Sequence, residues 1–170
     1  MVSTIQEADD ESVGAEVVDS REREDELRAA LASLAGGIVG TTTMTLVLFV
    51  VNAIYGPRLD VFATVAELAG SPDSVVLGFA LFFGAGAVAW PLMFTTLGAY
   101  LPGRTRPMQG LVFAGVLWLG FVTAFAPRYS GTDLLVFLVF SIVTHAIYGY
   151  LLGFVSARLT GQYRSPELAV

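Results

Sequence analysis

Along most of this chain apolar residues neither alternate nor recur at a helical spacing; they run on without a break. Continuous runs cover residues 34–54, 74–101, 109–126 and 132–157. A helix needs about 20 predominantly apolar residues to cross a bilayer, and each run is close to or above that length. Asp133, at the very start of the last run, is the one charged residue inside them. Backbone in hydrocarbon must satisfy its own hydrogen bonds, so runs of this length predict helices. A transmembrane barrel would instead show alternation over short strands. The ends are marked by Tyr55-Gly56-Pro57, Pro102-Gly103, Pro127 and Arg158. The pattern predicts an all-α fold, a four-helix transmembrane bundle. The third run is the shortest and is expected to cross with little tilt, whereas the second and fourth must tilt or project.

Two shorter stretches complete the layout. Between the first two runs, Asp60 can cap a helix whose apolar residues Val61, Phe62, Val65, Leu68 and Ala69 recur at helical spacing. It is too short to span and reads as a short interfacial helix between spans 1 and 2. Residues 1–32 form an acidic tail, expected to be disordered over residues 1–20 and helical from Ser20, where Glu22, Glu24 and Asp25 suit a first turn. Residues 33–160 are then the four-span membrane domain and residues 161–170 a second tail. With no basic, apolar leader ahead of it, the first run is expected to act as an uncleaved signal anchor.

Composition sharpens this division. The chain of 170 residues is 55% hydrophobic and 14% charged, yet carries a net charge of −6. The acidity has one source. Residues 1–28 hold ten acids and three arginines, a net of −7, and the remainder five acids and six arginines, a net of +1. A charge block of this kind is ordinarily a solvated face. There is no cysteine, which excludes disulfide frameworks, cysteine-bound metals and thiol catalysis. All nine basic residues are arginine. Arg21, Arg23, Arg28, Arg104, Arg106, Arg158 and Arg164 fall on one side of a four-span topology, and Arg58 and Arg128 on the other. That bias predicts a multi-pass protein of the cell membrane with both termini in the cytoplasm. The expected partners are the lipid bilayer, and other membrane subunits or a second copy of the chain; nothing points to nucleic acid.

Packing and chemistry can be read only in outline. Gly36 and Gly40 in the first span, Gly84 in the second, Gly110 and Gly115 in the third, and Gly149 and Gly153 in the fourth are small residues that let helices approach closely. Pro91 cannot donate to the carbonyl of Ala87, so a kink is expected there. Ser141, His145 and Tyr148 share one helix face, and Thr41, Thr45 and Asn52 a similar one. If the two faces meet they form a buried polar seam. His145, the one histidine, lies at membrane depth, where polar groups are costly and often functional. Two readings stand side by side: a structural histidine tying its helix to a serine or threonine of a neighbour, and a ligand of haem, a quinone or a proton relay. No catalytic triad, nucleotide loop or paired carboxylate occurs at membrane depth, so no catalytic residue, metal site or resident cofactor is assigned. Trp118 and Phe121 read as ordinary apolar bulk.

Several segments taken together have a family look. They are Ala-Gly-Gly-Ile-Val-Gly-Thr-Thr-Thr-Met-Thr (35–45), Ala-Gly-Ala-Val-Ala-Trp-Pro-Leu-Met-Phe (85–94), Tyr-Leu-Pro-Gly (100–103) and His145-Ala-Ile-Tyr148-Gly149 followed by Gly153. Over residues 33–160 the chain resembles a family of small four-span haloarchaeal membrane proteins of unknown function. Some members carry a label as cytochrome c oxidase subunit I. A catalytic oxidase subunit has many more spans and several histidine ligands, so the resemblance implies at most an accessory subunit. The expected function is a non-enzymatic accessory or assembly partner of a terminal-oxidase complex. The alternatives are a haem- or quinone-binding module using His145, Tyr148 and Ser141, and a small transporter of a neutral solute using the Pro91 kink.

Overall fold

A computed structural model describes the backbone of residues 2–55 and 60–162 and the side chains of residues 18–54 and 60–162. Gly56-Pro57, Arg58 and the tail from residue 163 lie outside the described residues, as do the side chains of the acids up to Glu16. The described residues form helices α1 (Val2–Tyr55), α2 (Val61–Leu68), α3 (Val75–Gly84), α4 (Trp90–Leu97), α5 (Arg106–Phe125) and α6 (Gly131–Thr160). A π-helical turn over Ala85–Ala89 joins α3 to α4, and the second span ends in a 3-10 turn over Gly98–Tyr100. Four segments, Val18–Ile54, Val75–Tyr100, Arg106–Arg128 and Gly131–Thr160, are long and apolar enough to cross a membrane. Large apolar side chains such as Val76 (79%) and Leu135 (62%) stand exposed on them, as lipid-facing residues do.

Local chemistry sets the element boundaries. The Asp60 carboxylate accepts the Ala63 N–H at 3.1 Å and caps α2 as expected. Ser74 caps α3 through the Leu77 N–H at 3.3 Å. The third span starts before Gln109, because Thr105 caps it through Met108 N–H at 3.4 Å and Pro107 sits in its first turn. There a missing N–H costs nothing. The third span, Arg106–Arg128, is thus longer than the run 109–126, yet remains the shortest of the four.

From Ser20 the tail is part of α1, whose helical backbone begins at Val2. Asp19 and Arg23, one turn apart, pair at 2.6 Å.

α6 sits in the middle, packed against α1 on one side and α5 on the other, and α1 in turn carries the second span. Glycines make these approaches close. A Cβ on Gly36 would run into the Leu152 backbone, and one on Gly40 into the Tyr148 ring. Gly110 lies against Gly149 and Gly153 against Arg106, so α5 and α6 nearly touch backbone to backbone. Gly37, not among the expected packing glycines, faces Pro91 and the Gly86 carbonyl. Gly84 and Gly115, expected at helix contacts, face open space with nothing within 4 Å. They lie on outward faces of their helices, where a small residue brings nothing closer.

The second span and α5 meet chiefly at one end. Phe94 and Phe113 are 5.4 Å apart there, and they anchor a core cluster with Ala114, Tyr148 and Leu152. A second cluster, Val51, Val61, Phe125 and Phe137, closes the other end beneath α2. Arg28 reaches the Leu159 carbonyl at 3.2 Å, answering an orphan acceptor in the last turn of α6. At the α2 end Arg128 pairs with Glu67 at 2.9 Å.

Candidate functional site

Between the two end clusters the second span and α5 stand apart, leaving a side cleft of about 580 Å³. That lies within the size range of small-molecule sites, about 300–1,000 Å³. Leu81, Phe82 and Trp90 form one wall, Val116, Leu117 and Phe121 the other, and Thr41, His145 and Tyr148 also border it. α2 contributes Val65. The lining is almost wholly apolar, so its few polar atoms decide what the cleft can recognise.

The second span owes its shape to Pro91. Trp90 N–H donates five residues back to the Ala85 carbonyl. In that i→i+5 register the donor due at the Gly86 carbonyl is residue 91, a proline with no N–H. The unfilled carbonyl is therefore that of Gly86, one residue before the Ala87 carbonyl expected from α-helical spacing. The Tyr148 hydroxyl fills it, donating to the Gly86 oxygen at 2.8 Å from across the bundle. Its ring crosses over Gly40, where any side chain would block it.

The face shared by Ser141, His145 and Tyr148 is buried as expected, but its members part company. Ser141 accepts the Trp118 indole N–H at 2.9 Å and donates to the Leu138 carbonyl at 3.2 Å. It does not line the cleft. His145 does not tie α6 to a neighbouring serine or threonine. Its Nδ1 lies 2.8 Å from the Ser141 carbonyl, one turn back in its own helix. A carbonyl can only accept, so Nδ1 carries the proton, and in the neutral ring Nε2 keeps a lone pair. No described residue hydrogen-bonds to Nε2. The ring packs against Phe121 at 4.9 Å, and Phe121 stacks on Phe125 at 4.1 Å. Trp118 and Phe121, read from the sequence as bulk, are thus the partners of the polar face. An aromatic three or four residues from another along α5 was the only available signal, and it does not say what the rings face.

The first-span face does meet α6, but not as a polar seam. Ser33 and Ser156 pair at 3.3 Å, while the hydroxyls of Thr41 and Thr45 have no hydrogen-bond partner among the described residues. Thr41 is 1% exposed and borders the cleft. Chemically the site offers one lone-pair acceptor at Nε2, a hydroxyl at Thr41, the Trp90 indole N–H as a donor, and aromatic walls. Nε2 could also serve as an axial iron ligand. No cluster of three His, Cys, Asp or Glu side chains gathers among the described residues.

A family of unknown function (DUF6789) matches residues 27–167, and the chain belongs to it. The match takes in all four spans and the last turns ahead of the first. No curated protein and no solved structure matches the chain.

Proposed function

Starting from that family membership, we propose that this is a multi-pass membrane protein that holds a lipid-soluble molecule in the cleft between its second and third spans. The observation that carries the reading is the cleft itself: about 580 Å³, apolar, bordered by a histidine whose Nε2 is unengaged. Apolar walls with a few placed polar groups are what small-molecule sites share. A molecule dissolved in the bilayer could enter sideways between the spans without crossing water. The arginine bias favours both termini in the cytoplasm; the Arg28–Leu159 contact is consistent with their sharing one side, the end of α1 next to the tail lying beside the end of α6.

Gly120 lines the cleft, and nothing lies within 4 Å of where its Cβ would stand. Gly120→Leu should therefore project a side chain into the cleft and narrow it without disturbing the fold. Protein purified in mild detergent is extracted and its bound lipids are identified by mass spectrometry. An apolar species retained by the unaltered protein and lost in Gly120→Leu supports the reading. The same extract from both proteins refutes it. The resemblance adds a setting, a halophile's membrane and an accessory place beside a terminal oxidase. Co-purification with oxidase subunits tests that setting, and recovery only as a free homo-oligomer overturns it.

A further inference from the structure

The hydrogen bond that fixes His145 also limits what the cleft can hold. Nδ1–H is committed to the Ser141 carbonyl at 2.8 Å, which leaves Nε2 as an acceptor and not a donor. The Tyr148 proton is committed to the Gly86 carbonyl at 2.8 Å. Thr41 brings a hydroxyl that can either donate or accept, so it does not discriminate between head groups. Of the two directional groups bordering the cleft, Nε2 therefore asks its ligand for a donor, and the Trp90 indole N–H, which can only donate, asks for an acceptor. Phe82, Trp90, Phe121 and Phe125 border the same space; aromatic walls of this kind suit a flat ring.

Resting on the cleft being a ligand site, we infer that it takes a ring-bearing hydroxyl lipid of the hydroquinone class, in preference to the corresponding quinone. A hydroquinone donates its O–H to Nε2, and its apolar tail leaves through the opening between the spans. A quinone sets its carbonyl oxygen against the Nε2 lone pair, two acceptors face to face. Turned instead to the donors of Thr41 or Trp90, a quinone still leaves the Nε2 lone pair without a partner.

The test uses the full chain in lipid nanodiscs without oxygen. A decyl-tailed benzohydroquinone, its quinone and its dimethyl ether are titrated in turn. Binding is counted as the part lost in Gly120→Leu, which subtracts partition into the bilayer. The expected result is that the hydroquinone binds about tenfold tighter than the other two, the effect of one buried hydrogen bond against an unpaired acceptor. In His145→Phe all three should bind alike. The comparison of ligands on the unaltered protein stands by itself if that variant does not fold. Equal binding of the three by the unaltered protein overturns the choice of head group and leaves the cleft as a site. No binding sensitive to Gly120→Leu, for any of the three, takes down the cleft reading and this inference with it.

Discussion

Tyr148→Phe should destabilise the fold through one carbonyl. The substitution keeps the ring over Gly40 and removes only the hydroxyl, so packing is nearly unchanged and the Gly86 carbonyl loses its donor. An unpaired buried group costs about 1–3 kcal/mol. Hydrogen bonds between membrane helices average only about 0.6 kcal/mol and reach about 1.7, because helices separated in the membrane find other partners. Here the separated second span has no substitute, since Pro91 lacks the N–H in any state. The upper part of that range applies, about 1.5 kcal/mol. Pro91→Ala restores an N–H in the register due at Gly86. In that background Tyr148→Phe should therefore cost close to nothing, a coupling of about 1.5 kcal/mol in a double-mutant cycle. Whatever Pro91→Ala itself costs, by changing the contact with Gly37, cancels in the cycle. The assay is reversible unfolding in mixed micelles, titrated with a denaturing detergent. An equal cost of Tyr148→Phe in both backgrounds would refute the link between the proline and the tyrosine.

Other outcomes follow from the same geometry. Gly149→Ala, which drives a methyl into the Gly110 carbonyl and Ala114, should destabilise by about 1–3 kcal/mol. Gly115→Ala, which meets open space, should be neutral or stabilise by up to about 1 kcal/mol through helix propensity, and the same unfolding assay ranks the two. Glu67→Gln breaks a pair whose side chains are 59% and 30% exposed, so it should cost under about 1 kcal/mol, and the loss should vanish in molar salt. The Tyr129 phenol lies outside the spans, and its pKa is pushed up by burial, with the Asp60 carboxylate adding to it and Arg128 opposing. An acid with a raised folded-state pKa contributes fully below its unfolded value. Stability should therefore fall as pH rises past about 10. In a tyrosine absorbance titration Tyr129→Phe should remove one group from the late-ionising part of the signal, together with its share of the alkaline loss.

What could be read from the sequence and what could not divides along a physical line. Element existence was legible because a bilayer demands long uninterrupted apolar helices, and the Asp60 cap was legible because it is local. Close packing at Gly36, Gly40, Gly110, Gly149 and Gly153 was also legible, since small residues one turn apart suit only that use. The same rule misplaced Gly84 and Gly115. A helix apolar on every side has no polar face to say which side turns inward, and spacing alone does not supply one. The bond of His145 was misread for a related reason. A polar side chain at membrane depth prompts a search for a neighbouring helix, but a histidine can satisfy one nitrogen on its own helix four residues back.

The cleft follows from helix order, which no local pattern encodes. Three interfaces are glycine-tight: the first span on the fourth, the fourth on the third, and the first on the second. The remaining pair, second and third, has no such contact along its middle and is held off by ring-bearing clusters at both ends. Tightness on three sides thus produces looseness on the fourth. Pro91 belongs to the same logic. The π-helical turn ahead of it would leave a carbonyl unmet, and meeting it requires a donor from α6. Tyr148 therefore fixes where the cleft's near wall stands relative to His145, one turn away on the same helix.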